Sequence, residues 1–134
     1  MQGHYSTEIR IPQSPSSVGV YQLQIDEHGQ FVLLCRMLMD TPEDRDWRAE
    51  WSVVEGSVTT DGEQLRFTIA RGQREVRSSA WSGRGAEDYH PTDVFHGTLT
   101  PDGISIQYFG QIDLRQGAPR EMVRALIVPD YIFS

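Results

Sequence analysis

Apolar and polar residues alternate with a period of two along most of this chain. Tyr21, Leu23 and Ile25, for example, are separated by two glutamines. Alternation of this kind is typical of a half-buried antiparallel strand, which packs one face on a core and turns the other to water. The same pattern predicts further strands within residues 47–53, 65–69, 94–100 and 104–108.

Glycine-containing dipeptides separate several of these alternating runs. They are His28-Gly29, Asp61-Gly62 and Asp102-Gly103. Glycine can supply the positive φ of a tight hairpin, so consecutive runs are expected to pair as antiparallel hairpins. The chain then holds about eight or nine strands, which predicts an all-β, up-and-down antiparallel barrel that leaves no free sheet edge. A two-sheet β-sandwich is the alternative.

The whole chain of 134 residues is expected to form one domain. Its barrel is predicted over 18–128, with an N-terminal arm over 1–17 and a C-terminal tail over 129–134. Two segments stay open between helix and strand, 42–51 and 119–126. In the first, a hydroxyl, a proline and two acids from Thr41 onward indicate a helix start, which we interpret as one turn near 42–46 followed by a strand.

Two sequence motifs resemble those of small bacterial lipocalin-like (calycin) β-barrel proteins. One is the opening Gly19-x-Tyr21-x-Leu23, and the other is the hairpin pattern Gly-x-x-x-x-Asp-Gly-x-x-Leu/Ile-x-Phe/Tyr, which occurs at 56–67 and 97–108. Tyr21 stands where the lipocalin motif has tryptophan. The resemblance covers roughly residues 18–128. It implies a cup that holds a small apolar molecule, and it implies no catalytic residue.

The amino-acid composition excludes several classes of function for this chain. The chain carries 19 acidic residues and 12 basic ones, all of them arginine, for a net charge of −7. This charge repels phosphate backbones, so we expect no nucleic-acid partner. The absence of lysine excludes Schiff-base and phosphate-loop lysine chemistry, and the single cysteine excludes an internal disulfide or a multi-thiolate zinc site.

The sequence also bears on localisation. It shows neither a basic start followed by an apolar run nor an apolar stretch of about 18 residues, so we expect a cytoplasmic protein without a membrane span. The longest apolar run, 31–39, is interrupted by Arg36. The absence of both lysine and asparagine, whose codons begin with AA, indicates a GC-rich bacterial genome.

Aromatic residues provide the candidate ligand contacts, because alternation predicts that they share the inward face. An eight-stranded barrel holds either packed side chains or one small ligand, and the pattern leaves both interpretations open. Tyrosine and tryptophan add a polar group that can orient a ligand in an apolar wall. We expect no cofactor. The predicted ligand-binding residues are Tyr21, Trp47, Trp51, Phe67, Phe95 and Tyr108.

Candidate catalytic groups concentrate in the loop over 82–93, which is long for a hairpin connection. His90 has an ordinary pKa near neutrality and lies beside carboxylates, as a general acid or base requires. The candidates are His90, Glu87 and Tyr108, although a solvated loop has the same composition. A zinc site at His90 and His96 lacks a third ligand, so we expect no metal.

Cys35 lies in the apolar run 31–39, which is apolar on both faces. We therefore expect the core to cover one face and another segment or a second subunit to cover the other, and we interpret Cys35 as a buried, inert thiol. A homodimer could form through 31–39 or through the C-terminal tail.

Three functions remain. The barrel binds an apolar or aromatic small molecule, which we favour because no catalytic set is visible. Alternatively, it is a cofactor-free isomerase or cyclase for a flexible apolar substrate, or a solid barrel that acts as a protein-interaction module.

Overall fold

The computed structural model describes residues 2–11, 14–41, 46–78 and 87–117. Within these ranges the chain consists of antiparallel strands joined by turns, and they contain no helix. The prediction of an all-β chain is confirmed. The strands are β1 (Gly3–Ile11), β2 (Ser14–Ile25), β3 (Gln30–Thr41), β4 (Asp46–Asp61), β5 (Gln64–Ser78), β6 (Glu87–Asp88), β7 (Val94–Thr100), β8 (Gly103–Gln107) and β9 (Gln111–Gln116).

Eight of these strands close into one barrel. The order is β4-β3-β2-β1-β9-β8-β7-β5, and β4 pairs with β5 to complete the circle. The two-residue strand β6 pairs with β5 beyond the point where β7 pairs with it. The predicted closed antiparallel barrel is thus confirmed and the sandwich alternative is not. None of the described residues belongs to a helix long and apolar enough to cross a bilayer.

The first strand differs from the expected N-terminal arm over 1–17. Residues 3–11 form β1 and residues 14–17 begin β2. β1 pairs with β2 along its length and with β9 at Tyr5 and Ser6. The apolar alternation is faint here because Tyr5 is the one large apolar residue of residues 3–8, yet closure of the barrel requires a strand between β2 and β9.

Segment 42–51 is only partly described. β4 begins at Asp46, opposite Thr41 of β3, so residues 46–51 belong to a strand and not to a helix. The expected turn at 42–45 lies outside the described residues. So do the segment 119–126, with its alternatives of helix and strand, and the C-terminal tail 129–134.

Glycine has two different roles in the predicted hairpin turns. Gly29 and Gly62 have φ of 74° and 63°, as expected for tight turns. Gly103 has no positive φ; a Cβ atom there would lie 2.0 Å from the Leu114 carbonyl oxygen. The third glycine is therefore required by the close approach of β8 to β9 and not by the turn conformation.

The barrel walls are unequal in height. β2 to β5 have 12 to 16 residues each, whereas β7 to β9 have 5 to 7. We call the end with the β8–β9 turn (108–110) the upper end, and the end with the turns at 26–29, 61–63 and 100–102 the lower end. The long strands continue past the short ones at the upper end, because all three short strands pair near the lower turns.

The lower half of the barrel is filled with side chains. Phe67 stacks on Phe95 with ring centroids 4.5 Å apart, and Phe31 meets both rings edge to face at 5.1 and 5.6 Å. Leucine and isoleucine side chains that are at most 2% exposed complete this layer. Of the two interpretations left open by the sequence, the filled barrel therefore applies to the lower half. The aliphatic members are Leu23, Leu33, Leu65, Ile104, Ile106 and Leu114.

A register shift in the β4–β5 pair changes which residues face inward. Ile69 lies opposite Gly56 and Gly72 lies opposite Val54, so β5 contains one more residue than β4 between these pairs. A β-bulge of this kind bends the strands and re-aims the side chains beyond it. The change is on β5, where the inward positions are Phe67 and Ile69 below the bulge and Arg74 above it, whereas β4 keeps Val58, Val54 and Ser52 on one inward face throughout.

We expect the substitution Phe67→Ala to lower the free energy of unfolding by about 3–5 kcal/mol, because it removes a fully buried ring that contacts two others. Urea unfolding measures the change. Phe109→Ala is the matched control: Phe109 is 75% exposed, so we expect a loss below about 1 kcal/mol. Equal losses in the two variants would contradict the placement of Phe67 in the core.

A polar cluster inside the upper end of the barrel

Three polar side chains form a row across neighbouring strands just above the apolar layer. In the ladder, Tyr21 of β2 lies opposite Cys35 of β3, which lies opposite Ser52 of β4. These positions alternate correctly with the core residues Leu23 and Leu33, so all three side chains face the barrel interior. Cys35 and Ser52 are only 9% and 8% exposed. Polar groups at such depth require hydrogen-bond partners.

Tyr108 approaches the same interior from the opposite wall. It occupies the β8–β9 turn, where its N–H donates to the Gly110 carbonyl (2.9 Å). The turn places Phe109 at φ 55°, a left-handed conformation that is uncommon for a residue other than glycine. The Tyr108 side chain is 7% exposed and packs edge to face on Phe95 at 5.1 Å. The turn therefore holds a tyrosine over the aromatic core.

Tyr89 completes the cluster from the segment that follows β6. Its N–H donates to the Gly72 carbonyl (3.0 Å), and the Arg74 guanidinium lies over its ring, 5.7 Å from the centroid. A Cβ atom at residue 72 would lie 2.3 Å from the Tyr89 carbonyl oxygen. Only glycine at this position lets the segment approach β5 so closely.

The side chains from both walls interact with one another. Tyr21 and Cys35 share a hydrogen bond, as do Tyr108 and Tyr89, and Tyr108 lies close enough to Tyr21 and Cys35 for ionisation of one group to disfavour ionisation of the others. Residues that are far apart in the sequence thus meet at one place in the barrel. We call this group the tyrosine–thiol cluster; its members are Tyr21, Cys35, Ser52, Tyr89 and Tyr108.

Two phenols of the cluster, Tyr21 and Tyr108, have raised pKa values because they are buried. Burial raises the pKa of Tyr21 far above its usual value, and the neighbouring Cys35 raises it further. Burial likewise raises the pKa of Tyr108, with Tyr89 as the next contributor. Desolvation disfavours the charged form of a phenol. Both residues are therefore neutral hydrogen-bond donors at physiological pH.

The thiol of Cys35 is also held neutral. Burial and the charge of Glu50 raise its pKa from the usual 9.0 to about 11, against hydrogen bonds from Tyr21 and Ser52 that lower it. A thiolate is the reactive form of cysteine, so this environment suppresses nucleophilic chemistry. The structure agrees with the sequence-based interpretation of Cys35 as a buried thiol, and adds its polar partners.

Charged residues lie above the cluster on the inward faces of β4 and β5. Glu50 and Arg48 share the inward face of β4 with Ser52, and Arg74 lies opposite Ser52 on β5. Arg74 Nε is 3.4 Å from Glu50 Oε1, and Arg48 Nη2 is 3.8 Å from Glu50 Oε2. We call these three residues the charged rim.

The predicted ligand-binding residues are thus divided between different places. Tyr21 and Tyr108 belong to the cluster, whereas Phe67 and Phe95 pack in the filled lower half. Trp51 lies opposite Arg36 and Glu75 and alternates with the inward-facing Ser52.

The expectation that Trp51 faces inward is therefore wrong. β4 is apolar on both faces around Val53 and Val54, so alternation alone could not select the inner face. The pairing of Val54 with Leu33 selects it. The side chain of Trp47 lies outside the part of the chain that the structure describes.

The three candidate catalytic residues are not brought together. His90 is exposed and its Nε2 lies 2.8 Å from Asp93 Oδ1. Glu87 is exposed on β6, and only Tyr108 enters the cluster. Among the described residues, no group of three His, Cys, Asp or Glu side chains could hold a metal ion.

The outer face of one wall is buried as well. Val20 and Ala49 alternate with inward-facing residues, yet they are 2% and 0% exposed. The wall formed by β2 to β4 is therefore covered on both faces at these positions. The proposed homodimer through 31–39 stays a prediction.

Sequence reasoning missed Ser52, Glu50 and Arg74, and treated Tyr89 only as part of a charged loop. All three missed residues occupy polar positions of strands whose polar face was taken as solvent-exposed. The adjacent pair Val53 and Val54 was the available signal, since two neighbouring apolar residues show that both faces of the strand are covered.

Comparison with known proteins gives no family for this chain. No protein-family model matches it, and neither the curated proteins nor the solved structures contain a significant match. The closed barrel of eight antiparallel strands is consistent with a calycin-like architecture.

We expect Cys35 in the folded protein to react with iodoacetamide at pH 8 at least about a hundredfold more slowly than in urea. A pKa of about 11 instead of 9.0 lowers the thiolate fraction by about that factor, and burial adds to it. Because Cys35 is the only cysteine, mass spectrometry of the alkylated chain reads this residue alone. Reaction at the unfolded rate would contradict the placement of Cys35.

We also expect the free energy of unfolding to fall as the pH rises above about 9–10. Cys35, Tyr21 and Tyr108 keep their protons in the folded state, whereas the unfolded chain releases them near the usual pKa values of 9.0 and 10.0. The unfolded state then binds fewer protons, which favours unfolding at high pH.

Urea unfolding between pH 8 and 11 measures this dependence. Tyr21→Phe and Tyr108→Phe each remove one titrating group and should make the decline shallower. Phe109→Ala removes none and should keep the wild-type slope. An unchanged slope in both tyrosine variants would refute the assignment.

Proposed function

We propose that this barrel binds a small, largely apolar molecule at its upper end, and that the tyrosine–thiol cluster hydrogen-bonds an oxygen atom of that molecule. The apolar part of the ligand rests against the aromatic and aliphatic layer below. This is the binding function expected from the sequence, confined to the upper half because the lower half is filled.

The observation that supports the proposal is the convergence of polar side chains inside an otherwise apolar barrel. Tyr21 and Tyr108 come from opposite walls and meet above the packed rings of Phe67 and Phe95. A protein core that served stability alone would favour apolar side chains at these positions, because buried polar groups cost free energy unless they are fully hydrogen-bonded. Binding sites combine this apolar lining with a few convergent polar groups.

The chemistry of the cluster indicates what kind of oxygen it would bind. Tyr21 and Tyr108 are neutral phenols that can donate, so they suit a carbonyl, carboxylate or ether oxygen. The Cys35 thiol is a weak donor and a soft apolar surface. The ligand we propose is therefore an apolar or aromatic molecule with a hydrogen-bond acceptor.

A second candidate is the cofactor-free isomerase or cyclase. The observation that favours it is the presence of the Glu50 carboxylate near the neutral phenol of Tyr21 and the thiol of Cys35. Phenol donors can stabilise a developing oxyanion and a carboxylate can accept a proton. Both oxygens of Glu50 already face an arginine, so neither is free to approach a substrate proton. We therefore rank binding first.

The third candidate, a protein-interaction module, has little support in the described residues. Phe109 is the large apolar residue that is well exposed there. A single exposed aromatic side chain does not form the contiguous patch that marks an interface.

Titration with Prodan, an uncharged naphthyl ketone whose emission reports polarity and hydrogen bonding, tests the proposal. We expect saturable one-to-one binding with a blue-shifted emission. Tyr21→Phe and Tyr108→Phe should each weaken binding about fivefold, the effect of one neutral hydrogen bond.

Tyr5→Phe is the matched control. Tyr5 is another buried tyrosine, but its hydroxyl lies beside Gly3 near the lower end of the barrel. This variant should bind Prodan like the wild type. Absence of saturable binding, or equal weakening in all three variants, would overturn the proposal. Chemical conversion of a bound ketone or related ligand would favour the isomerase or cyclase instead.

A further inference from the structure

The charged rim contains two guanidinium groups and one carboxylate, so it carries an excess positive charge in a chain whose net charge is −7. The distances from Glu50 to Arg74 and Arg48 are 3.4 and 3.8 Å. Charge-assisted N–H···O hydrogen bonds are typically about 2.7–2.9 Å long. The two arginines are therefore attracted by Glu50 without being fully hydrogen-bonded to it.

The incomplete hydrogen bonding to Glu50 is clearest at Arg74. Its Nε atom is buried and faces Glu50 Oε1 at 3.4 Å, but it makes no hydrogen bond within the described part of the chain. The guanidinium lies over the Tyr89 ring, within the same interior as the tyrosine–thiol cluster. Glu87 lies opposite Arg74 in the ladder but is exposed, and the ion pair of Arg74 is made with Glu50. A guanidinium has five N–H donors, so Arg74 keeps hydrogen-bonding capacity that this loose pair with Glu50 does not use.

Polarity changes in one direction along the inner face of the upper wall. From Arg48 downward, the inward positions of β4 are Arg48, Glu50, Ser52 and Val54, which run from half-exposed and charged to apolar and 1% exposed. A molecule that fits this gradient has an apolar body below and an anionic group at the top.

We propose that the charged rim binds the carboxylate group of a small apolar carboxylic acid, with Arg74 as the main donor and Arg48 as the second positive charge. This inference rests on the proposed function, since it specifies the ligand of the same site. The planar guanidinium matches the two oxygens of a carboxylate and can donate to both. The carboxylate then lies between Arg74 and the hydroxyl groups of Tyr21 and Tyr108, and the apolar body of the acid rests on the aromatic layer below them.

A matched pair of probes tests this proposal. Prodan carries a ketone, and 6-dimethylamino-2-naphthoate has the same ring system with a carboxylate instead. We expect the naphthoate to bind about tenfold more tightly than Prodan to the wild-type protein, as one charge-assisted hydrogen bond provides. Arg74→Gln should remove this tenfold preference and change the affinity for Prodan less than about twofold.

Two further variants make the result specific. Glu50→Gln removes the competing carboxylate and should tighten naphthoate binding, an effect opposite to that of general damage. Arg71→Gln is the control, because Arg71 pairs with Glu55 on an exposed part of the same strand and the substitution changes the net charge equally. It should leave both affinities unchanged.

The outcomes separate the two proposals. If neither probe binds, the proposed function fails. If Prodan binds and the naphthoate binds no more tightly than Prodan, the carboxylate site is refuted and the proposed function stands. The same holds if Arg71→Gln and Arg74→Gln reduce the affinity for the naphthoate equally. Circular dichroism checks the fold of each variant. If Arg74→Gln does not fold, Arg48→Gln replaces it, since Arg48 is half-exposed; this variant should lose part of the tenfold preference for the naphthoate over Prodan. An unchanged preference in Arg48→Gln would then refute the carboxylate site.

Discussion

The barrel exists because β4 pairs with β5, which joins the two ends of an otherwise open sheet of eight strands. These two strands form the longest ladder of the barrel and also close its circle. One register shift between Glu55 and Gly56 divides the ladder into two parts. Below it, Phe67 of β5 and Val58 of β4 face the core; above it, Arg74 of β5 faces the interior beside Ser52 of β4. The extra residue reverses the side-chain alternation of β5 alone, and the bulge lies at the boundary between the packed apolar half and the polar half.

The two halves of the barrel meet opposite demands. The stacked and edge-to-face rings of the lower half provide the burial that holds eight strands together. The upper half places hydroxyls, a thiol and ion pairs in the interior, where each costs free energy unless it is satisfied. Such a distribution is expected where stability is supplied in one place and binding in another. The proposed ligand site lies at the boundary, where the aromatic layer becomes the floor of the tyrosine–thiol cluster.

The fold could be predicted from the sequence because strand alternation and hairpin turns are local signals. Asp61-Gly62 lies between two alternating runs, and both the strands and the positive φ of Gly62 are as expected. Fewer features of the candidate site could be predicted from the sequence. Tyr21 and Tyr108 were predicted correctly as inward-facing aromatics, but Trp51 was assigned to the wrong face of β4. Its strand is apolar on both sides, and a shift of one residue exchanges the two faces.

Antiparallel strands in consecutive hairpins could be predicted from the sequence alone, because period-two hydropathy and turn residues act over a few neighbours. The burial of Cys35 was predictable in the same way, since its strand is apolar on both faces. The three-dimensional structure was needed to show that Gly3–Ile11 lies between β2 and β9 and that Tyr21, Cys35, Tyr89 and Tyr108 meet. These outcomes depend on barrel closure and on one bulge, which bring together residues separated by up to about a hundred positions and leave no periodic trace in the sequence.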